Sequence, residues 1–269
     1  MDKINMDSYS DEHANDLKRT NTYLSISPEL FEKLYLSPKA QTHGELRRTF
    51  GNPTPVGVLG FCVALTPVSA ELMGWRGASG TSATIGASYS FGATLLMLSG
   101  IAEFLLGNTF PSVVFLAYGS HFLTMAITYT PFFAAISSYN ADGSQEQSPA
   151  FLATFGFYAV CMTTLSFIFL ICSLRTNAVY VTVFASGAIG FGLFSGAAWN
   201  IAGGNDTVGK HLIVGTGACF FVASMAGWYL LFAIMMTAVD MPFAVPVGDL
   251  STMIKGMSDV ERNNQQRTE

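Results

Sequence analysis

Phe151-Leu-Ala-Thr-Phe-Gly-Phe-Tyr-Ala-Val-Cys-Met-Thr-Thr-Leu-Ser-Phe-Ile-Phe-Leu-Ile-Cys-Ser173 runs without a single charged side chain. At about 1.5 Å of rise per residue, a helix of this length crosses the ~30 Å hydrocarbon core of a bilayer. Five more stretches of this kind flank it: Pro53 to Gly74, Thr84 to Leu106, Pro111 to Thr130, Ala178 to Ala198 and Leu212 to Val239. The pattern predicts an all-α integral membrane protein with six transmembrane helices. Short polar segments divide the spans, namely Trp75 to Gly80, Gly107 to Thr109, Ser137 to Ser148, Arg175 to Asn177 and Ile201 to Gly209.

Composition agrees. Half of the 269 residues are hydrophobic, only 12% are charged and mean hydropathy is +0.40, whereas charged residues make up about a quarter of a soluble domain. The 26 glycines suit close helix packing in lipid. A net charge of −5, carried largely by the polar ends and with no basic stripe, excludes a nucleic-acid partner. Cys62, Cys161, Cys172 and Cys219 all fall within spans and have no metal-ligand spacing, so they read as small packing residues. No His-Glu-x-x-His, nucleophile elbow or paired intramembrane aspartate is present, which argues against an enzyme and against a bound metal or cofactor.

Three parts follow from the distribution of polarity. Residues 1–48 read as a largely disordered tail, 49–240 as the six-helix membrane domain, and 241–269 as a second polar tail. Within the first tail, Pro28 to Leu36 is weakly amphipathic and reads as a short surface helix. With six crossings, Arg47, Arg48, Arg175 and Lys255 share one side, opposite Arg76, Asp142, Glu146, Asp206 and Lys210. That bias places both termini in the cytoplasm. The pairs Gly107-Asn108 and Trp199-Asn200 hint at two three-helix halves of opposite orientation.

Two places stand out chemically. At the head of the first span, Asn52 suits a helix N-cap and Pro53 the first helical position, with Pro55 still in the first turn. Such a helix start also attracts carboxylates through its free amides and dipole. Within the second span lies Glu103, the only formal charge between Arg76 and Asp142. Two roles fit it: a proton-binding or entrance-shaping acid, or a protonated side chain bonding between helices.

Asn52-Pro53-Thr54-Pro55-Val56-Gly57-Val58 resembles the signature Asn-Pro-Ala-Pro-Leu-Gly-Leu of the acetate and succinate transporter family, which includes fungal acetate- and ammonia-related proteins and the bacterial succinate-acetate permease. Glu103 to Phe110, containing Gly107-Asn108, is similar to the family's second landmark, and Tyr118-Gly119-Ser120 to its third. The resemblance covers about residues 50 to 240. It departs after the Tyr-Gly pair, where Ser120-His121-Phe122 replaces a small residue followed by Phe-Trp. Two roles fit His121: a neutral imidazole bonded to a neighbouring helix, or a titrating group that tunes proton coupling or substrate choice.

The resemblance implies a hexamer of plasma-membrane protomers, each with its own path for acetate and related short-chain carboxylates, moved with protons. It implies a constriction containing Phe61 and Tyr118, with a third residue from the fifth span at Gly187 or Ile189. Asn52, Tyr118, Ser120 and Thr124 are candidate donors to a carboxylate. The expected path residues are thus Asn52, Pro53, Pro55, Gly57, Phe61, Glu103, Asn108, Tyr118, Gly119, Ser120, His121 and Thr124. Gly192 and Gly196, at small-three-small spacing, suit either contacts between protomers or packing within one. The partners are the carboxylate, protons, lipids and further copies of the chain. An anion channel, an ammonium exporter and a membrane sensor of acetate adaptation are the alternatives.

Overall fold

A computed structural model describes residues 50–251 and 253–254. The stretch Pro28 to Leu36, the cations Arg47, Arg48 and Lys255 and most of both tails lie outside the described residues. Among the described residues six helices are long and apolar enough to span: α1 (Thr54–Leu72), α2 (Ser82–Leu105), α3 (Thr109–Tyr129), α4 (Pro149–Ser173), α5 (Ala178–Ala202) and α6 (Asp206–Ala238). Among the described residues no strand forms, only an isolated bridge between Asn177 and Asp249.

Helix starts follow their side chains. Asn177 Oδ1 accepts the Tyr180 amide at 3.0 Å, and Ser148 Oγ accepts that of Phe151 at 3.2 Å with Pro149 next in line. At α1 the register differs by one from the sequence expectation. Pro53 occupies the cap position, and Asn52 reaches past it to accept the Thr54 amide at 3.0 Å.

The turn before α6 is shorter than the polar run Ile201 to Gly209 implied, because α5 continues to Ala202 and α6 begins at Asp206. An aspartate in the first turn complements the helix dipole, so a polar residue there extends the helix rather than ending it. Also absent from the sequence reading is the π-helical segment Ser88–Leu95 inside α2. There Gly92 lies against Phe122, and a Cβ at that glycine would come within 2.5 Å of the ring.

The helices pack as α2 on α1 and α3, α6 on α1 and α5, and α4 on α5. The first three helices and the last three are thus joined chiefly through α1 on α6. The sequence paired Gly107-Asn108 with Trp199-Asn200, but the backbone pairs it with Gly204-Asn205. Gly107 and Gly204 are left-handed at φ 79° and 81°. The Asn108 amide bonds the Glu103 carbonyl and the Asn205 amide the Asn200 carbonyl, both at 2.8 Å, the closing bond of a glycine-terminated helix. The segment after α6 folds back onto the α4–α5 turn: Ala178 N–H donates to the Gly248 carbonyl at 2.8 Å, Leu250 N–H to that of Thr176 at 3.0 Å, and Val247 is buried.

Candidate functional site

Three cavities follow one another through the bundle. The largest, about 80 Å³, lies beside the C-terminal end of α1 (Leu65, Leu72) and the first half of α4 (Phe155, Tyr158). A second, about 30 Å³, sits deeper, between Phe61, Leu65, Tyr118, His121, Gly187 and Phe220. A third, also about 30 Å³, continues towards the start of α1, between Val58, Phe61, Tyr118, Tyr180 and Leu230. Each exceeds the ~10–15 Å³ that one water requires. Neighbouring cavities share walls: His121, Leu65 and Phe191 border the first and second, Phe61, Tyr118 and Val183 the second and third.

The walls are apolar and rich in aromatic rings. Tyr118 stacks on Phe184 (centroids 6.3 Å apart, planes at 10°) and meets Phe169 edge-on, while its hydroxyl shares a 2.9 Å hydrogen bond with Ser166. His121 Nδ1 and the Tyr158 hydroxyl share one of 2.8 Å, with the rings stacked at 12°. These contacts join α3 to α4 and α5 across the line of cavities. Among the residues lining the three cavities there is no Asp, Glu, Lys or Arg.

Of the residues expected from the sequence, Phe61, Tyr118 and His121 border these cavities. On the fifth span it is Gly187 that faces them: a Cβ there would lie 3.6 Å from the Tyr118 hydroxyl and 3.8 Å from that of Ser166. Ile189 is 58% exposed on the outer surface of the bundle. Ser120 is exposed, and the Thr124 hydroxyl bonds the Ser120 carbonyl one turn back at 2.8 Å, the usual habit of hydroxyls in spanning helices. Gly57 packs on Ser99 and Phe115, and Gly119 on Leu96 and Met97. Gly192 and Gly196 face Thr163 and Leu212 of the same chain.

Glu103 is 0% exposed and lines none of the three cavities. Thr54 Oγ1 donates to its Oε1 and Asn108 Nδ2 to its Oε2, each at 2.5 Å. The Pro53 carbonyl, next to this cluster, accepts the Ser99 hydroxyl at 2.8 Å. Asn52, Pro53, Thr54, Glu103 and Asn108 therefore belong to one construction that fixes the start of α1 against the α2–α3 turn, whereas Pro55 is half-buried in the first turn of α1 and lines none of the cavities. Sequence reasoning passed over Tyr158, Ser166, Val183 and Phe191, whose residue types in a spanning helix carry no signal beyond packing. It also passed over Glu71, whose Oε1 accepts the Thr84 hydroxyl at 2.7 Å. In the α3–α4 loop, the Ser144 amide and hydroxyl hold the Asp142 carboxyl below its usual range.

Residues 35–252 match the model of the GPR1/FUN34/yaaH family. The chain is 46% identical over 235 residues to "Protein alcS" of Aspergillus fumigatus, covering 86% of both chains. To the "Acetate transporter protein patA" of Aspergillus clavatus it is 28% identical, covering 76% of this chain and 80% of that one. Among solved structures, that of the bacterial acetate channel SatP superposes with a TM-score of 0.60 at 20% identity, over 74% of this chain and 99% of the other. The last likeness concerns the fold.

Proposed function

This chain belongs to the GPR1/FUN34/yaaH family, and from that premise we propose that it moves acetate and related short-chain carboxylates, coupled to protons, through the line of cavities within each protomer. The observation that carries this reading is the succession of neighbouring cavities from the C-terminal end of α1 towards its start, with Phe61 and Tyr118 in the wall between the second and third. Relatives named as acetate transporters support the substrate. An apolar gate of two rings suits a methyl group, and the hydroxyls and imidazole along the walls suit a carboxyl group.

Of the two titrating candidates, His121 borders the path and Glu103 does not. Proton coupling in this reading therefore falls to His121, with Glu103 as part of the scaffold. The same reading has the protein as a hexamer in the plasma membrane, surrounded by lipid, with both termini cytoplasmic and no cofactor. The even number of spans among the described residues and the exposed apolar side chains Ile101, Phe104, Phe157 and Phe167 support that arrangement.

The test is uptake of labelled acetate, at acidic and neutral external pH, in cells lacking their own carriers. Wild type, Glu103→Gln and Tyr118→Ala are compared at matched surface expression. Saturable uptake that collapses with the proton gradient and fails in Tyr118→Ala is expected, and no uptake by well-expressed wild type would refute the reading. A second reading, passive conduction of the same anions, is favoured by the absence of any acid or base other than His121 and phenols along the cavities. It predicts acetate flux that survives an uncoupler.

A further inference from the structure

We propose that His121 and Tyr158 form a carboxyl-binding subsite where the first cavity meets the second, one that accepts short monocarboxylic acids and rejects dicarboxylic acids. The inference rests on the cavities being a solute path and adds the group that recognises the solute there.

His121 stands where the first and second cavities meet and borders both. Its ring is held on three sides: Tyr158 stacks at a centroid distance of 5.8 Å, Phe191 meets it edge-on at 4.9 Å and 87°, and Phe122 tilts against it at 5.8 Å. Nδ1 is committed to the Tyr158 hydroxyl at 2.8 Å. No hydrogen bond from a described residue engages Nε2.

A hydroxyl and an imidazole joined in this way have two neutral arrangements. With the tyrosine donating to Nδ1, Nε2 carries the proton and donates to a carboxylate oxygen. With Nδ1–H donating to the tyrosine oxygen, Nε2 presents a lone pair to the O–H of an undissociated acid. The pair thus binds a carboxyl group in either protonation state while the imidazole stays neutral, so the proton coupled at His121 travels on the undissociated acid. The phenylalanine or tryptophan expected near this position from the family pattern offers no such choice.

A second carboxylate on the same solute meets a different environment. The titratable neighbours lining the cavities are phenols, Tyr118 and Tyr129 on α3, Tyr158 on α4 and Tyr180 on α5, plus the His121 ring itself. The carboxylate of α1, Glu71, is turned to Thr84 and lines none of the three. A second anionic group would be buried among aromatic rings without a cation, and an unpaired buried charge is strongly disfavoured.

The experiment uses the full chain, purified in detergent with histidine imidazoles labelled with nitrogen-15, titrated at neutral pH with propionate and, separately, with succinate. The His121 resonance is the one missing from His121→Phe, cross-checked by its displacement in Tyr158→Phe. A saturable shift with propionate, none with succinate at equal concentration, and a propionate midpoint raised about fivefold by Tyr158→Phe, the size of one lost neutral hydrogen bond, are expected. Equal midpoints for the two acids would overturn the selectivity, and a propionate titration that leaves the resonance still would overturn the subsite. Labelled acetate flux, measured in liposomes made from the same preparation, separates the two readings. Flux without a shift refutes the subsite alone, and a shift without flux supports the subsite while refuting transport.

Discussion

At the end of α2, Glu103, Gly107 and Asn108 build the turn that Asn200, Gly204 and Asn205 build at the end of α5, yet the first is buried and the second lies largely at the surface. The backbone bonds match to 0.1 Å, at 2.8 Å in each. Even the side chains repeat the gesture, Asn108 Nδ2 to the Glu103 carboxylate at 2.5 Å and Asn205 Nδ2 to the Asn200 amide oxygen at 3.3 Å. Only in the first half does a third element join, through Thr54 at the start of α1. A left-handed glycine is enough to make the turn. Burial and the third partner are what turn the first copy into a brace, and in the reading proposed above Glu103, for which the sequence left a proton-binding and an inter-helix role open, is part of the frame beside the path.

This contrast breaks hardest at Glu103. Glu103→Ala strands a buried hydroxyl and a buried amide, so thermal unfolding of the purified protein is expected to show a loss of about 2–4 kcal/mol, while Asn200→Ala stays near zero. Next come the two glycines. Gly107→Ala and Gly204→Ala force an L-residue into the left-handed region and are expected to lose about 1–2 kcal/mol each, equal to one another because the backbones are equal. Unequal losses would show that the halves differ in more than side chains. Thr54→Ala removes one donor and is expected to lose about 1 kcal/mol. Asn205→Ala, at an exposed 3.3 Å contact, is expected to change stability by only about a few tenths of a kcal/mol.

The six spans were legible because charge is so scarce between Pro53 and Val239 that hydropathy alone divides the chain. The α5–α6 turn was not, since Asp206 and Lys210 read as loop residues although a helix tolerates both outside the hydrocarbon. The π segment of α2 left no mark either: Gly92 within it lies against Phe122, a tertiary contact that no local pattern announces. Within the candidate site, Phe61 and Tyr118 stood out by their match to the family pattern and His121 by its departure from it, and Gly187 was left level with Ile189 until the helix was oriented. Tyr158 and Ser166 stayed hidden because a tyrosine or serine in an apolar helix shows its purpose only once its partner is opposite.

Gly187 also offers the most direct test of where the solute passes. A side chain there projects between Tyr118 and Ser166, where a Cβ has room at 3.6 Å and 3.8 Å, whereas one at Ile189 extends outward from the bundle. Acetate flux into liposomes is to be measured for wild type, Gly187→Leu and Ile189→Trp. Flux reduced to background by Gly187→Leu in a folded protein, and unchanged by Ile189→Trp, is the predicted result. Wild-type flux through Gly187→Leu would contradict a path along these cavities.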